Sequence, residues 1–308
     1  MKNKITRRTA NKIIAMGFPL CIFNPNFIIE SEKRMNKRVI PSTKELLPCV
    51  GVGTWQTFDV GNNMEKRDSL KKVLQILLKY GGSLIDSSPM YGSSEKVVGE
   101  LTKELGIRNQ IFEATKVWIS GEKEGKEQID ASLNLLNNKG IELLQVHNLL
   151  DWKTHIKTLQ NLKEQKVIKY IGITHYHSGG YAEMEKIMVN EKIDFIQINY
   201  NLANRQANKR ILPLAKDRGI AVLINRPYEG GTLFRKTKNK ELPKWAEEFG
   251  AETWGQFFLK FILANESVTC VIPGTSKPHH MEDNVKAGIG LLPNLKHQSK
   301  MIEFLDSL

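Results

Sequence analysis

The chain has 308 residues, of which 41% are hydrophobic and 25% charged, an ordinary composition for a globular protein. Its formal net charge is +12, but residues 1–40 hold nine Lys or Arg against Glu30 and Glu32, and so carry +7 of that excess. The remainder interleaves lysines with acidic residues, as on a solvated surface. Because no zinc-finger, basic-helix or RNP-like motif is present, the charge argues against a nucleic-acid partner.

The three cysteines, Cys21, Cys49 and Cys270, are odd in number and far apart along the chain. That spacing suits neither a disulfide framework nor a metal site. We expect small apolar side chains that fill the core, and no bound metal.

The first 36 residues resemble a twin-arginine export signal. Arg7 and Arg8 follow Thr6 and precede Lys12, and a modest apolar stretch covers residues 13–23. That stretch is short for a membrane span, so we expect only transient membrane contact during export. This pattern predicts the periplasm; the alternative is a basic tail on a cytoplasmic protein. The folded part should then begin near Lys37.

Short apolar runs predict the strands that follow this segment. Residues 40–46 indicate a small hairpin or turn, and residues 49–54 the first buried strand. Its glycines, Gly51 and Gly53, lack the spacing of a dinucleotide-binding fingerprint. Further strands are predicted at residues 83–86, 111–116, 143–147, 170–174, 195–199, 220–225 and 269–273.

Apolar residues at helical spacing predict helices between these strands. The first face is formed by Leu70, Val73, Leu74 and Leu77, and Gly81-Gly82 ends that helix. Similar faces begin near residues 97, 129, 156, 184, 211 and 257. Two more helices are predicted, one starting near His279 and one over residues 295–305. Residues 226–242 are predicted to form a longer loop.

Eight strand–helix units within this length predict an α/β protein with a (β/α)8 TIM barrel over residues 37–308. The strand runs are apolar with little alternation, as expected for parallel strands covered by helices. An open, doubly wound sheet is the alternative.

Three successive predicted strands end in polar side chains that can take part in proton transfer: Asp86, Lys116 and His147. Tyr91 follows the first of them in a loop. Since the carboxyl ends of barrel strands carry the chemistry, we expect these four residues to share one active site. A Tyr hydroxyl has a pKa of about 10, which a neighbouring ammonium should lower. Asp86 would offset the cost of burying Lys116, and His147 would hydrogen-bond a carbonyl oxygen. The set suits carbonyl reduction, with Tyr91 as proton donor.

On these residues the chain resembles the aldo-keto reductase family over about residues 40–290. Asp86-x4-Tyr91-Gly92, Lys116 and His147 are similar in order and spacing to its catalytic tetrad. The resemblance implies reduction of an aldehyde or ketone by NAD(P)H. Tyr91 would be the general acid, Lys116 and Asp86 would tune it, and His147 would orient the carbonyl.

The resemblance also implies where an extended nicotinamide dinucleotide would bind. Thr174 and His175 would lie near the carboxamide with Gln197, and Arg226 would stack on the nicotinamide. Residues 272–278, from Ile272 to Pro278, and Glu282-Asp283-Asn284 resemble the family's adenosine-phosphate segment. The remaining implied contacts are Gly53, Thr54, Trp55, Asn225, Thr275, Ser276, Lys277, His280, Asp283 and Asn284.

Two departures bear on the choice of cofactor. Gly274 and His280 stand where the family usually has the Lys and Arg that grip the 2′-phosphate; Lys277 or the lysines after Phe234 would replace them. We expect NADP(H), narrowly over NAD(H).

The sequence leaves the substrate and the oligomeric state open. Trp55 and Trp118 are candidate walls of a substrate pocket for a small carbonyl compound. An alternative function is a non-catalytic barrel that senses the nicotinamide cofactor by binding a partner.

Overall fold

A computed structural model describes residues 34–308, which begin with an antiparallel hairpin. Strands β1 (Lys37–Val39) and β2 (Leu46–Pro48) pair Val39 with Leu46. The hairpin contributes Ile40 and Leu47 to a buried cluster that also contains Leu84, Tyr170 and Phe195. The predicted hairpin is therefore confirmed, and it closes the amino-terminal end of the sheet that follows.

Eight parallel strands form the central sheet, in the order in which they occur along the chain. Each strand pairs in parallel with its neighbour. The strands are β3 (Val52–Gly53), β4 (Leu84–Asp86), β5 (Phe112–Val117), β6 (Ile141–His147), β7 (Ile168–His175), β8 (Phe195–Asn199), β9 (Ala221–Asn225) and β10 (Cys270–Val271).

The sheet closes on itself through the residues beside β3 and β10. Parallel bridges join Val50 to Val271 and Gly53 to Gly274. The backbones approach closely here, and a Cβ on Gly53 would lie 2.9 Å from the Ile272 carbonyl oxygen. Glycine permits this approach because it has no side chain. The closed sheet confirms the predicted (β/α)8 barrel, and the open doubly wound alternative is wrong.

Helices cover the outside of the barrel. In the described part of the chain, seven follow β3 to β9 in turn, and three more lie before or after β10: α1 (Met64–Lys79), α2 (Ser94–Glu104), α3 (Glu122–Leu135), α4 (Trp152–Glu164), α5 (Tyr181–Asn190), α6 (Ile211–Arg218), α7 (Thr232–Lys236), α8 (Trp254–Leu263), α9 (Pro278–Ala287) and α10 (Leu295–Asp306).

Their apolar faces pack against the strands to form the main core, so the periodicity used for prediction reports this interface. The predicted helical faces are confirmed, with one difference. The segment expected to be a loop after β9 contains the short helix α7 and a 3₁₀ turn at Glu229–Gly231. Two glycines and few apolar residues precede α7, so no helical period signals it.

The predicted export signal lies almost wholly outside the described residues. Within residues 34–308, no helix has both the length and the apolar character that a membrane span requires. No group of three or more His, Cys, Asp or Glu side chains in the same residues could hold a metal ion.

Candidate active site

A cavity of about 640 Å³ opens at the carboxyl ends of the barrel strands. In a (β/α)8 barrel this end carries the variable loops, and therefore the chemistry. Most of the residues predicted from the sequence contribute to its wall. These are Gly53, Thr54, Trp55, Asp86, Tyr91, Trp118, His147, Thr174, Gln197, Asn225, Arg226 and Gly274.

Lys116 lies beneath the cavity with no exposed surface. Its Nζ donates to Asp86 Oδ2 at 2.7 Å and to the Ser87 carbonyl oxygen at 2.5 Å. The other carboxylate oxygen of Asp86 accepts from Gln145 Nε2 at 3.0 Å and from Gln197 Nε2 at 2.8 Å. A buried ion pair is tolerable when further hydrogen bonds satisfy both partners, and that condition holds here.

The Lys116 ammonium faces the Tyr91 ring, with Nζ 4.9 Å from the ring centre. Burial lowers the pKa of Lys116, but Asp86 and Tyr91 raise it, and the net direction is upward. Lys116 therefore remains a cation beside the phenol at neutral pH.

The pKa of Tyr91 departs from the expectation based on the sequence. Burial raises it and Asp86 raises it further, while Lys116 lowers it, and the net direction is above the usual value of 10.0. The prediction of a net lowering is therefore wrong, although Lys116 does act in the predicted direction. A raised pKa keeps the phenol protonated at neutral pH, as a proton donor requires.

His147 lies across the cavity from the phenol. Its ring centre is 5.9 Å from that of Tyr91, edge to face, and 6.0 Å from that of Trp118. Burial lowers the pKa of His147 to about 2, helped by the charges of Lys116 and His175. The imidazole is therefore neutral. Its Nδ1 lies 3.1 Å from Ser88 Oγ, and if Nδ1 accepts this hydrogen bond, Nε2 carries the proton and can donate it.

Three amide and hydroxyl side chains at the ends of β7, β8 and β9 form a polar floor. Thr174 Oγ1 donates to Gln197 Oε1 at 3.3 Å, and Asn225 Nδ2 donates to the same oxygen at 3.4 Å. Asn225 Oδ1 is buried and accepts no hydrogen bond within residues 34–308. A buried acceptor without a donor is costly, so this floor suits a ligand amide whose N–H can donate to Asn225 Oδ1. The carboxamide of a nicotinamide has that chemistry.

The segment predicted to hold the adenosine phosphate leads from β10 into α9. Ile272 and Gly274 reach the cavity wall, but the other predicted contacts of this segment lie outside it. Lys277 and His280 are exposed, and Thr275 Oγ1 accepts from the Lys277 backbone at 3.1 Å. Ser276 accepts, through its carbonyl oxygen, from Ser69 Oγ at 2.8 Å.

Two further residues of this segment hold α9 in place. Asp283 accepts from Thr253 Oγ1 at 2.9 Å and from Gln256 Nε2 at 2.8 Å. Asn284 Oδ1 accepts from the Tyr228 hydroxyl at 2.5 Å. In the described residues both side chains therefore have structural partners.

His175 was predicted to lie beside the carboxamide, but it is absent from the cavity wall. Side chains alternate along a strand, so His175 points away from the side that Thr174 faces. Its ring is 4.4 Å from that of His177, and its Nδ1 contacts the His177 carbonyl oxygen at 2.9 Å. The alternation of β7 could have indicated this from the sequence.

Several residues of the site were not predicted from the sequence: some line the cavity, and one, Gln145, is buried behind it. Met90 and Tyr176 are 39% and 49% exposed and extend the aromatic rim set by Trp55 and Trp118. Asn148 follows His147 in a left-handed conformation with a φ of 52°. Gln145 donates a hydrogen bond to Asp86. It lies two residues before His147 on β6, so both side chains are on the same face of the strand, and this spacing could have indicated Gln145 from the sequence.

Comparison with known proteins gives a family match over most of the barrel. Residues 49–299 match the model described as the Aldo/keto reductase family. The Klebsiella pneumoniae aldo/keto reductase solved in complex with NADP and acetate has a TM-score of 0.74 at 18% identity, covering 88% of this chain and 95% of that chain. At that identity the likeness establishes the fold.

Two curated relatives are similar in sequence. The aldo-keto reductase YhdN of Bacillus subtilis (strain 168) is 28% identical over 194 residues, which are 57% of this chain and 56% of that protein. This match therefore spans little more than half of YhdN. The NADH-specific methylglyoxal reductase of Escherichia coli (strain K12) is 25% identical over 318 residues, covering 82% of this chain and 93% of that protein.

Proposed function

Because the chain belongs to the aldo/keto reductase family, we propose that Tyr91 is the proton donor of a carbonyl reduction carried out in this cavity. The chain is an NAD(P)H-dependent oxidoreductase that converts an aldehyde or ketone to an alcohol. The observation that carries the proposed roles is the buried Lys116 ammonium, held 2.7 Å from Asp86 and 4.9 Å from the centre of the Tyr91 ring.

In this mechanism the substrate carbonyl oxygen lies between the Tyr91 hydroxyl and the neutral His147 imidazole. Both groups can donate a hydrogen bond to it, which polarises the carbonyl and favours the developing alkoxide. Tyr91 then gives its proton to that oxygen and becomes a phenolate. The Lys116 ammonium stabilises this phenolate, and Asp86 holds Lys116 charged and in place.

A reduced nicotinamide, when bound, supplies the hydride for this reaction. Thr174, Gln197 and Asn225 would hold its carboxamide, whose N–H would donate to the unsatisfied Asn225 Oδ1. The largely aromatic rim formed by Trp55, Trp118 and Tyr176, together with the Met90 thioether, would cover the reacting atoms and exclude water from them.

NADP(H) is the favoured cofactor of this proposal. The Klebsiella pneumoniae structure with this fold holds NADP, whereas one relative by sequence is named an NADH-specific enzyme. Exposed cations near α9 and α7, among them Lys277 and Lys238, are available for a 2′-phosphate. Titration of each reduced cofactor by protein fluorescence should give tighter binding of NADPH; tighter binding of NADH would reverse the choice.

A carbonyl panel with both cofactors tests the activity. We expect the wild-type protein to form one alcohol for each NADPH consumed with neutral aromatic aldehydes, and methylglyoxal belongs in the panel because a relative is named for it. Product analysis by chromatography distinguishes reduction from unproductive cofactor oxidation. Tight NADPH binding without alcohol formation on any substrate would instead support a non-catalytic, cofactor-sensing role.

Export is the proposed route to the site of action. The Arg7-Arg8 pair and the apolar stretch after it support twin-arginine export to the periplasm, with transient membrane contact. Fractionation of cells that express the wild-type chain and an R7K/R8K variant tests this. Periplasmic recovery should depend on the arginine pair, and equal cytoplasmic recovery of both proteins would favour a cytoplasmic enzyme.

A further inference from the structure

The loop after β9, residues 226–231, has a backbone that is held under strain. Positive φ angles occur at Arg226 (48°), Glu229 (47°), Gly230 (61°) and Gly231 (84°). A side chain with a Cβ rarely adopts this region, and such strain persists only where the surrounding structure enforces it. The loop is therefore fixed by its contacts rather than by its own preference.

The buried Asn201 side chain supplies two of those contacts. Its Nδ2 donates to the Arg226 carbonyl oxygen at 3.0 Å and to Glu229 Oε2 at 2.6 Å. The other carboxylate oxygen of Glu229 lies 3.5 Å from Arg226 Nη2. The buried Asn201 amide thus fixes the position of the Arg226 backbone and of the Glu229 carboxylate that contacts the Arg226 guanidinium.

The Arg226 side chain itself lines the cavity and is 35% exposed. It donates no hydrogen bond to any group within residues 34–308, and the contact with Glu229 is its one ion pair there. Asp86, the one carboxylate side chain that the described residues place in the cavity wall, is already paired with Lys116 at 2.7 Å. Arg226 therefore presents a positive charge and unused N–H donors to a ligand.

We propose that Arg226 binds an anionic group, a phosphate or a carboxylate, inside the cavity, and that Glu229 is a positioning residue for it. A guanidinium matches the two oxygens of such a group with two parallel N–H donors. The inference rests on the proposed function for the identity of the ligands. It replaces stacking on the nicotinamide, expected from the sequence, with recognition of charge.

Two molecules in the proposed reaction can supply this anion. One is the dinucleotide, through the diphosphate that NADPH and NADH share. The other is a carbonyl substrate that bears its own carboxylate or phosphate. The two sources predict different measurements, because only the first affects cofactor binding in the absence of substrate.

The test compares the variant R226M with a matched control, R235M. Arg235 lies on the neighbouring helix α7, is exposed, and donates to Thr232 Oγ1 at 2.7 Å. Both substitutions remove one positive charge from the same region, but only R226M removes donors from the cavity wall. Dissociation constants for NADPH and NADH are measured by fluorescence. kcat/KM is measured with benzaldehyde and with 4-carboxybenzaldehyde at saturating NADPH.

If the diphosphate is the ligand, R226M should weaken both cofactors alike, by about 10- to 100-fold, as expected for the loss of a charge-assisted hydrogen-bond pair. If a substrate anion is the ligand, the cofactor constants should stay the same. In that case kcat/KM for 4-carboxybenzaldehyde should fall by a similar factor, and that for benzaldehyde should not. R235M should leave all four values unchanged.

Two further variants make the result decisive. R226K keeps the positive charge on a slightly shorter side chain but loses the planar pair of donors, so its effect should lie between those of wild type and R226M. It also provides a charged variant if R226M folds poorly. E229Q keeps an oxygen beside Arg226 and removes a competing negative charge, so it should change the same affinity by less than R226M does. Changes in R226M and R226K no larger than those in R235M would overturn the proposal. Cofactor binding is measured without turnover. A protein that binds NADPH but reduces no carbonyl would therefore contradict the proposed function, while its cofactor dissociation constants would still test whether Arg226 binds the diphosphate.

Discussion

At the scale of single residues, the candidate site depends on one cation placed where water does not reach. Lys116 has no exposed surface, yet every hydrogen-bonding group around it is matched: Asp86 and Ser87 accept from it, and Gln145 and Gln197 donate to Asp86. Because charges are strongly disfavoured in such surroundings unless paired, the two side chains form one unit rather than two independent groups.

Removing one member of this unit should therefore be worse than removing both. We expect K116M to lower the free energy of unfolding by about 3–5 kcal/mol, because Asp86 is left buried and uncompensated. The double variant D86N/K116M should recover a large part of that loss while remaining inactive. Urea denaturation followed by circular dichroism measures all three proteins. A K116M protein as stable as wild type would contradict the buried pairing.

His147 should leave a trace in the pH dependence of stability. Its pKa is about 2 in the folded protein and about 6.5 when unfolded, so the unfolded chain binds one more proton as the pH falls below 6.5. Well above pH 6.5, His147 is neutral in both states and does not reduce the stability. As the pH falls from 7.5 to 5.5, the free energy of unfolding should decrease by about 1.4 kcal/mol, because only the unfolded chain takes up the proton.

The variant H147N isolates this contribution, since all other titrating groups are shared with wild type. The difference in unfolding free energy between the two proteins should change by that amount over the same interval. A difference that is independent of pH would mean that the folded protein protonates His147 normally.

At the scale of secondary-structure elements, close packing overrides local preference. Gly99 lies inside helix α2, where alanine would by itself favour the helix by about 1 kcal/mol. A Cβ there would lie 2.7 Å from the Leu136 carbonyl carbon and closer still to the Leu135 carbonyl oxygen, at the end of α3. Helices α2 and α3 can therefore pack this closely only because residue 99 has no side chain.

We expect G99A to destabilise the protein by about 1–3 kcal/mol despite the better helix propensity, because backbone atoms cannot move aside as a flexible side chain can. Thermal and urea unfolding report this change. The control K96A, on the exposed face of the same helix, should alter stability by less than about 0.5 kcal/mol. Stabilisation by G99A would show that the two helices can separate freely.

The elements of this fold could be predicted because each one buries a continuous apolar run or stripe. The run at Ile196 and Ile198 and the stripe at Leu70, Val73 and Leu77 are examples, and both are fully buried. Helix α7 could not be predicted, since Leu233 is its one buried residue and five residues are too few for a period. The predicted ends of β8 match the structure, whereas several ends of the other strands are shifted by one to three residues. These shifts arise because the neighbouring strands set the hydrogen-bond register.

At the scale of the whole molecule, barrel closure brings distant parts of the chain to one end. Asp86, His147, Gln197 and Gly274 are separated by tens of residues, yet all line one cavity. Their meeting could be predicted because parallel strands present their carboxyl ends to the same side. The direction of the Tyr91 pKa shift could not, since it depends on the balance between burial and the Lys116 charge, which only the packed structure sets.

The contacts around Arg226 could not be predicted from the sequence either. The role of Asn201 arises from a loop twenty-five residues further along, and the strain of that loop is visible only in its backbone angles. Local sequence patterns describe which side chains can be buried. They do not describe which polar atom is left without a partner once the barrel has closed.

The rate of alcohol formation in a single turnover by Y91F, preloaded with NADPH and mixed with a neutral aldehyde, tests the central claim most directly. The substitution removes only the phenolic oxygen, so we expect NADPH binding and stability close to those of wild type. The rate should fall by about 10²- to 10⁴-fold, the usual contribution of a general acid. A rate within threefold of wild type would contradict the assignment of Tyr91 as the proton donor.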